Sequence, residues 1–147
     1  MDVALALDVS TSVIGWAVTL VNDPLPVIDR YPKLRGHIDL RKNKGGYWSK
    51  VDQMELEHFN QVMNVNFNGT VNGTRTALSL MKNGGGSIVN MASLSGFLPA
   101  PFMSAYSASK HALHGFYESL ALEEEKNNIY VTIACPGKIN TPISTNA

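Results

Sequence analysis

The sequence predicts an α/β fold in which one mixed, five-stranded sheet, in the order 3-2-1-4-5, has helices packed on it. Two observations lead to this prediction. Residues 1–51 hold three short runs of strand-forming residues separated by turns, and the rest of the chain alternates helical and strand patterns. Because a helix between two strands makes a parallel pair with a right-handed crossover, the two parts can share one sheet.

The front segment has the pattern of an antiparallel meander. Residues 3–9 (VALALDV) form a short apolar run, and residues 13–21 (VIGWAVTLV) follow at the distance of a hairpin. Residues 22–26 (NDPLP) are typical of a turn because two prolines interrupt the strand pattern. Residues 34–41 (LRGHIDLR) alternate apolar and polar side chains and are the third predicted strand.

The rest of the chain predicts two helices and two strands. Residues 52–82 carry apolar side chains mostly at spacings of three and four, which indicates a long helix that the following glycines end. A strand, a helix and a strand follow at residues 87–93, 104–126 and 129–135. The first and fourth predicted strands are nearly continuous in apolar residues, so we expect them to be neighbours at the buried centre of the sheet.

Composition and charge exclude several classes of function. The 147 residues include 12 Lys and Arg against 12 Asp and Glu, and this zero net charge argues against a general nucleic-acid or membrane-surface binder. Cys135 is the one cysteine, so no internal disulfide can form and a reducing compartment is expected. With no run of eighteen apolar residues and no basic signal-peptide region, we expect one cytoplasmic domain, residues 1–147.

A serine, a tyrosine and a lysine follow one another at short spacings in the second half of the chain. Tyr106 and Lys110 stand one helical turn apart, and Ser93 precedes Tyr106 by thirteen residues at the end of a predicted strand. A hydroxyl with a cation beside it can give a proton to a carbonyl oxygen that is becoming an alkoxide. One Tyr-x-x-x-Lys pair is a weak signal, because such pairs also occur by chance.

Four sequence pieces in order make the signal specific: NVNFNG, GGSIVNMASLSG, YSASKHALHGFYESLALE and CPGKINT. With them the chain resembles the C-terminal part of the short-chain dehydrogenase/reductase family. The resemblance implies an NAD(P)-dependent oxidoreductase with Tyr106 as general acid and base and Ser93 bound to the substrate carbonyl. The further implied roles are a water held by Asn66, a nicotinamide ribose contacted by Lys110 and a nicotinamide contacted by Thr141.

The part of that family that binds the dinucleotide phosphates is not found in the sequence. No G-x-x-x-G-x-G turn is present, and the three glycines at 84–86 precede a strand instead of a helix. The sequence therefore predicts inherited site residues beside an incomplete cofactor site.

The front segment has a second resemblance. LALDVSTSVIGWAVTL resembles the first hairpin of RuvC-like nucleases in the ribonuclease H superfamily, and LRGHIDLRKNKG resembles the strand that follows there. This resemblance implies that Asp8 is a Mg²⁺ ligand and that the order 3-2-1-4-5 is ribonuclease H-like. Two-metal cleavage of a phosphodiester needs several carboxylates, and Asn90 and Ser93 at the fourth strand supply none.

Together the two resemblances predict a recombined or engineered chimera, with a ribonuclease H-like segment at residues 1–51 and a dehydrogenase-derived segment at 52–147. The expected function is an α/β domain without native catalytic activity and without a cofactor. The alternatives are an NAD(P)-dependent oxidoreductase for a carbonyl or alcohol substrate and a Mg²⁺-dependent nuclease. Because the helices of the second segment would face new neighbours, we also expect a homodimer through apolar helix faces.

Overall fold

The computed structural model describes residues 2–9, 13–21 and 36–39 by their backbone, and residues 49–81 and 84–137 with their side chains. The strands are β1 (Asp2–Val9), β2 (Val13–Val21), β3 (Gly36–Asp39), β4 (Gly86–Met91) and β5 (Ile129–Ala134). The helices are α1 (Leu56–Met63), α2 (Gly69–Met81) and α3 (Ser104–Glu124). None of these three helices has both the length and the apolar character needed to cross a bilayer.

The five strands form one mixed sheet in the order β3-β2-β1-β4-β5, which agrees with the predicted order. β1 pairs antiparallel with β2, and β2 pairs antiparallel with β3. β1 pairs in parallel with β4, where Leu5 lies opposite Ile88, and β4 pairs in parallel with β5. β1 and β4 therefore occupy the interior of the sheet, as their apolar sequences predict.

The long helix predicted over 52–82 is interrupted by a π-helical turn. Residues 51–53 form a separate 3₁₀ turn, so the helical stretch begins only at Leu56, and Asn64–Asn68 form the π turn between α1 and α2. The hydroxyl of Thr70 donates to the carbonyl oxygen of Asn66 at 2.8 Å and so takes up a backbone acceptor of this turn. Such turns are frequent at functional sites, and this one carries the buried Asn66.

The core lies between the sheet and the two longer helices. Seven of its side chains are at most 4% exposed: Ala77, Met81, Ile88, Leu113, Tyr117, Leu120 and Ile129. The buried hydroxyls of Thr74 and Tyr117 form a hydrogen bond that joins α2 to α3. Burial raises the pKa of Tyr117 to about 12, although the bond to Thr74 acts in the opposite direction. This packing fixes α3 over the parallel half of the sheet.

Candidate active site

The backbone around Ser93 is held in place just beyond β4. The amide of Ala92 donates to the carbonyl oxygen of Ala134 at 2.8 Å, and the amide of Leu94 donates to that of Pro136 at 3.2 Å. The side-chain oxygen of Ser93, which is half-buried, accepts a hydrogen bond from the amide of Ser95 at 3.2 Å. Because that bond uses the oxygen as an acceptor, the hydroxyl proton of Ser93 can be donated elsewhere.

Tyr106 and Lys110 lie on the first two turns of α3, at the same edge of the sheet. Lys110 is 3% exposed, and its Nζ donates to the carbonyl oxygen of Met91, the last residue of β4, at 3.2 Å. The same Nζ lies 5.7 Å from the centroid of the half-buried Tyr106 ring. The structure thus brings the predicted Tyr–Lys pair to the end of the strand that Ser93 follows.

The environment of Lys110 disfavours its charged form. Burial lowers the pKa of Lys110 from 10.5 to about 8, and the negative charge of the nearby Cys135 sulfur partly opposes this shift. An amine with a pKa near 8 can change its charge close to neutral pH, so it can take part in proton transfer there.

Asn66 is bound to the helix that carries Tyr106. Asn66 is 7% exposed, and its Nδ2 donates to Oγ of Ser109 at 3.0 Å. Ser109 Oγ in turn donates to the carbonyl oxygen of Tyr106 at 2.7 Å. The chain Asn66–Ser109–Tyr106 ties the π turn to the first turn of α3. Sequence reasoning missed Ser109, since a contact across 43 residues leaves no periodic signal.

Asn90 is a second buried amide that the sequence analysis did not place in the site. It is 0% exposed on β4, and neither Oδ1 nor Nδ2 has a hydrogen-bond partner among the described residues. Its burial follows from the strand, because Ile88 and Asn90 alternate onto the same buried face of β4. A polar residue within the apolar run SIVNMAS is the signal that could have identified it.

For two predicted site residues the structure describes no side chain. Asp8 belongs to β1, and its backbone lies opposite Gly15, but its side chain is not among those described. Thr141 lies beyond the described residues altogether. Within the described part of the chain, no group of three or more His, Cys, Asp or Glu side chains could hold a metal ion. The roles implied for Asp8 and Thr141 stay predictions.

Comparison with known sequences finds dehydrogenases. Residues 24–147 match the family described as short chain dehydrogenase. A dehydrogenase/reductase SDR family protein 7-like from Anopheles gambiae is 41% identical over 78% of this chain and 37% of that protein. An uncharacterised oxidoreductase of Staphylococcus epidermidis is 33% identical over 97% of this chain and 64% of that protein. The chain thus spans less than two thirds of the length of these relatives.

Solved structures agree with the sequence matches. Acetoin dehydrogenase from Enterobacter cloacae is 35% identical, with a TM-score of 0.63 over 65% of this chain and 40% of that one. A 4-hydroxyisoleucine dehydrogenase mutant complexed with NADH and succinate is 34% identical, with a TM-score of 0.63 over 66% of this chain and 41% of that one. The prediction of an α/β fold is confirmed, and the similar structures are dehydrogenases. They give no support to the interpretation of the strand order as ribonuclease H-like.

These findings contradict the prediction of a chimeric domain without native catalytic activity. The family match begins at residue 24, well inside the segment 1–51 that the prediction assigns to a ribonuclease H-like parent. They support the alternative of an oxidoreductase, and they support neither an engineered origin nor a Mg²⁺-dependent nuclease. The prediction is wrong because the missing glycine-rich turn is a weaker indicator of function than four ordered sequence pieces with their site residues.

Proposed function

The chain belongs to the short-chain dehydrogenase family, and from this premise we propose that it acts as an oxidoreductase that moves a hydride between a nicotinamide dinucleotide and a carbonyl or alcohol substrate. The observation that carries the proposal is the buried Lys110, whose Nζ lies beside the Tyr106 ring and at the end of β4. A buried lysine whose pKa is lowered by desolvation, next to a tyrosine at the end of a strand, is a candidate functional residue.

The described residues fit one end of the cofactor. Nζ of Lys110 has three protons and uses one for Met91, so two remain for the hydroxyls of a nicotinamide ribose. The site also lies at the carboxyl ends of the parallel strands β4 and β5, where open α/β sheets bind their ligands. A bound nicotinamide would supply or accept the hydride.

The same residues do not fit the phosphate end of the cofactor. In a dinucleotide-binding fold the first strand leads through a glycine-rich turn into a helix whose N-terminus holds the pyrophosphate. Here β1 ends at Val9 and its antiparallel neighbour β2 begins at Val13, so the chain goes from the first strand to a paired strand and not through a strand–helix unit. The proposal is therefore specific for the nicotinamide–ribose end.

In the proposed reaction, side chains of the protein transfer the proton. In carbonyl reduction the Tyr106 hydroxyl gives its proton to the developing alkoxide, and the Ser93 hydroxyl donates a hydrogen bond to the same oxygen. The lysine ammonium stabilises the tyrosinate that Tyr106 leaves behind, because a nearby positive charge favours the ionised hydroxyl. General acid catalysis of this kind contributes on the order of 10²- to 10⁴-fold to the rate.

Asn66 completes the proposed proton path. The bond from Nδ2 to Ser109 fixes the orientation of the amide, and therefore also the direction in which its oxygen accepts. We propose that this oxygen holds the water through which Lys110 recovers a proton from solvent. The π turn serves this role because it places Asn66 facing α3.

Saturation-transfer NMR with NADH and NADPH tests the proposal. We expect more magnetisation transfer to the protons of the nicotinamide and its ribose than to those of the adenine, because the described residues fit only the nicotinamide–ribose end of the cofactor. Lys110→Met should lose this transfer, while Tyr106→Phe should retain it, since the phenol is proposed to act on the substrate. Equal transfer from the wild-type protein and Lys110→Met, or none at millimolar cofactor, would contradict the proposal.

A further inference from the structure

Cys135 and His114 lie side by side at the edge of the candidate active site. Sγ of Cys135, directly after β5, is 3.5 Å from Nε2 of His114 on α3. His114 is 7% exposed, whereas Cys135 is only half-buried. The sulfur therefore has both an imidazole partner and a path to solvent.

The imidazole of His114 is held by the short turn that follows Ser93. The ring lies against the backbone of Gly96, where an added Cβ would come within 2.6 Å of its Cδ2 and Nε2 atoms. On the same turn the ring of Phe97 packs against the imidazole with a centroid distance of 4.0 Å. The close approach at Gly96 and the tilted contact with Phe97 restrict the imidazole, whose Nε2 lies toward the sulfur.

The opposite side of the ring faces a carboxylate. Oε1 of Glu118, one turn further along α3, is 3.8 Å from Nδ1 of His114, and Nδ1 has no hydrogen-bond partner in the described part of the chain. In the tautomer that carries its proton on Nδ1, the proton faces Glu118 and Nε2 is free to accept from the thiol. Thiol, imidazole and carboxylate thus stand in the order of an activated nucleophile.

We propose that Cys135 is a thiol-modification site that low-molecular-weight disulfides convert to a mixed disulfide, with His114 as the base. Nε2 takes the thiol proton as the Cys135 sulfur attacks one sulfur of the disulfide. The new S–S bond forms as the old one breaks, so the Cys135 sulfur is oxidised and the departing sulfur is reduced. The departing thiolate takes the proton back from the imidazolium, and the exchange is balanced without another reactant.

Modification of Cys135 should affect Lys110, because the two groups interact electrostatically. The thiolate form of Cys135 raises the pKa of Lys110, although burial has the larger, opposite effect. A mixed disulfide cannot carry that charge, and it adds bulk to the Cys135 side chain. We therefore expect loss of nicotinamide binding on modification; this consequence rests on the proposed function, whereas the reactivity of the thiol does not.

The test uses glutathione disulfide as the probe and the mass of the intact chain as the readout. Cys135 is the only cysteine, so a single addition reports on this site alone. We expect the folded wild-type chain at neutral pH to react at least ~10-fold faster than the same chain unfolded in urea, in line with general base catalysis. Cys135→Ser should show no addition.

Variants of the base decide the mechanism. His114→Gln should slow the folded chain by about tenfold or more. Gly96→Ala, which displaces the imidazole and keeps it in the chain, should also slow the reaction. If either variant fails to fold by circular dichroism, Glu118→Gln at an exposed position replaces it, with a smaller decrease expected. A folded rate no higher than the unfolded rate, or equal rates for the wild-type chain and these variants, would overturn the proposal. Because the readout is mass, it is independent of any oxidoreductase activity.

Discussion

The ammonium nitrogen of Lys110 donates a hydrogen bond to the backbone carbonyl oxygen of Met91, 3.2 Å away. This bond joins α3 to the end of β4 and pairs a buried cation with a neutral acceptor. Such an arrangement costs stability, because burial disfavours the charge and a carbonyl only partly replaces water. The position of Lys110 is therefore better explained by chemistry than by stability.

The cost of Lys110 should appear in the pH dependence of unfolding. In the unfolded chain Lys110 binds its proton below its ordinary pKa of 10.5, and in the folded chain only below about 8. Between these two pKa values the unfolded chain holds more protons, so the free energy of unfolding rises with pH. The stabilisation is fully present above pH 10.5, and it is lost as pH falls through about 8. The shift corresponds to about 3 kcal/mol.

Urea unfolding of the protein with Lys110 and of its Lys110→Met variant across this pH range measures that contribution. Both proteins carry Cys135→Ser, which removes the sulfur whose charge interacts with Lys110, so the difference in unfolding free energy isolates the lysine. As pH rises, the free energy of unfolding of the protein with Lys110 should increase relative to that of the Lys110→Met variant. A difference independent of pH would show that Lys110 is not buried as a cation.

The hydroxyl pair between α2 and α3 should contribute to stability as a unit. Thr74 and Tyr117 are both 0% exposed and hydrogen-bonded to each other. Tyr117→Phe leaves the Thr74 hydroxyl buried without a partner, so we expect a loss of about 1–3 kcal/mol. Adding Thr74→Val removes the orphaned group and should recover part of the loss. A double-mutant cycle by chemical denaturation checks this; strictly additive losses would argue against the bond.

The turn from α2 into β4 should require glycine at position 85. Gly85 has φ +69°, and an added Cβ would lie 2.5 Å from the carbonyl oxygen of Asn128. Gly85→Ala should therefore destabilise the protein by at least ~2 kcal/mol. Gly115→Ala is the matched control, since nothing lies within 4 Å of its added Cβ on α3, and it should stabilise by up to about 1 kcal/mol. Thermal melts of both variants decide whether the strain at Gly85 is real.

The expected homodimer through apolar helix faces stays a prediction. Leu80 on α2 and Leu122 on α3 are 49% and 78% exposed, so each helix has an apolar side chain available for a partner. Leu122→Glu should shift the chain toward monomer in sedimentation equilibrium. A wild-type protein that is monomeric at high concentration would contradict this prediction.

Much of the fold could be predicted because it depends on local patterns. The apolar runs of β1 and β4 predicted their central positions, and the alternation of helix and strand after residue 51 predicted the parallel pairs. The π turn could not be predicted, since it involves the hydroxyl of Thr70 and not the apolar periodicity. Helix spacing likewise could not show that residues 51–53 form a separate turn.

The candidate site likewise contains contacts that the sequence predicts and contacts that it does not. Tyr106 and Lys110 share a helix, so their spacing alone predicted their contact. The bond between Asn66 and Ser109 and the contact between Cys135 and His114 span 43 and 21 residues and exist only in the folded chain. Helix and strand periodicities relate residues only a few positions apart, so they could not predict contacts across 43 and 21 residues.

Deuteride transfer is the most direct test of the proposed oxidoreductase activity. The chain is incubated with NADH or NADPH carrying deuterium at C4 of the nicotinamide and with a panel of aldehydes and ketones, and the products are analysed by mass spectrometry. The account predicts an alcohol that carries one deuterium, with a yield that falls on the order of 10²- to 10⁴-fold in Tyr106→Phe. No deuterated alcohol at millimolar cofactor, or an undiminished yield from Tyr106→Phe, would contradict it.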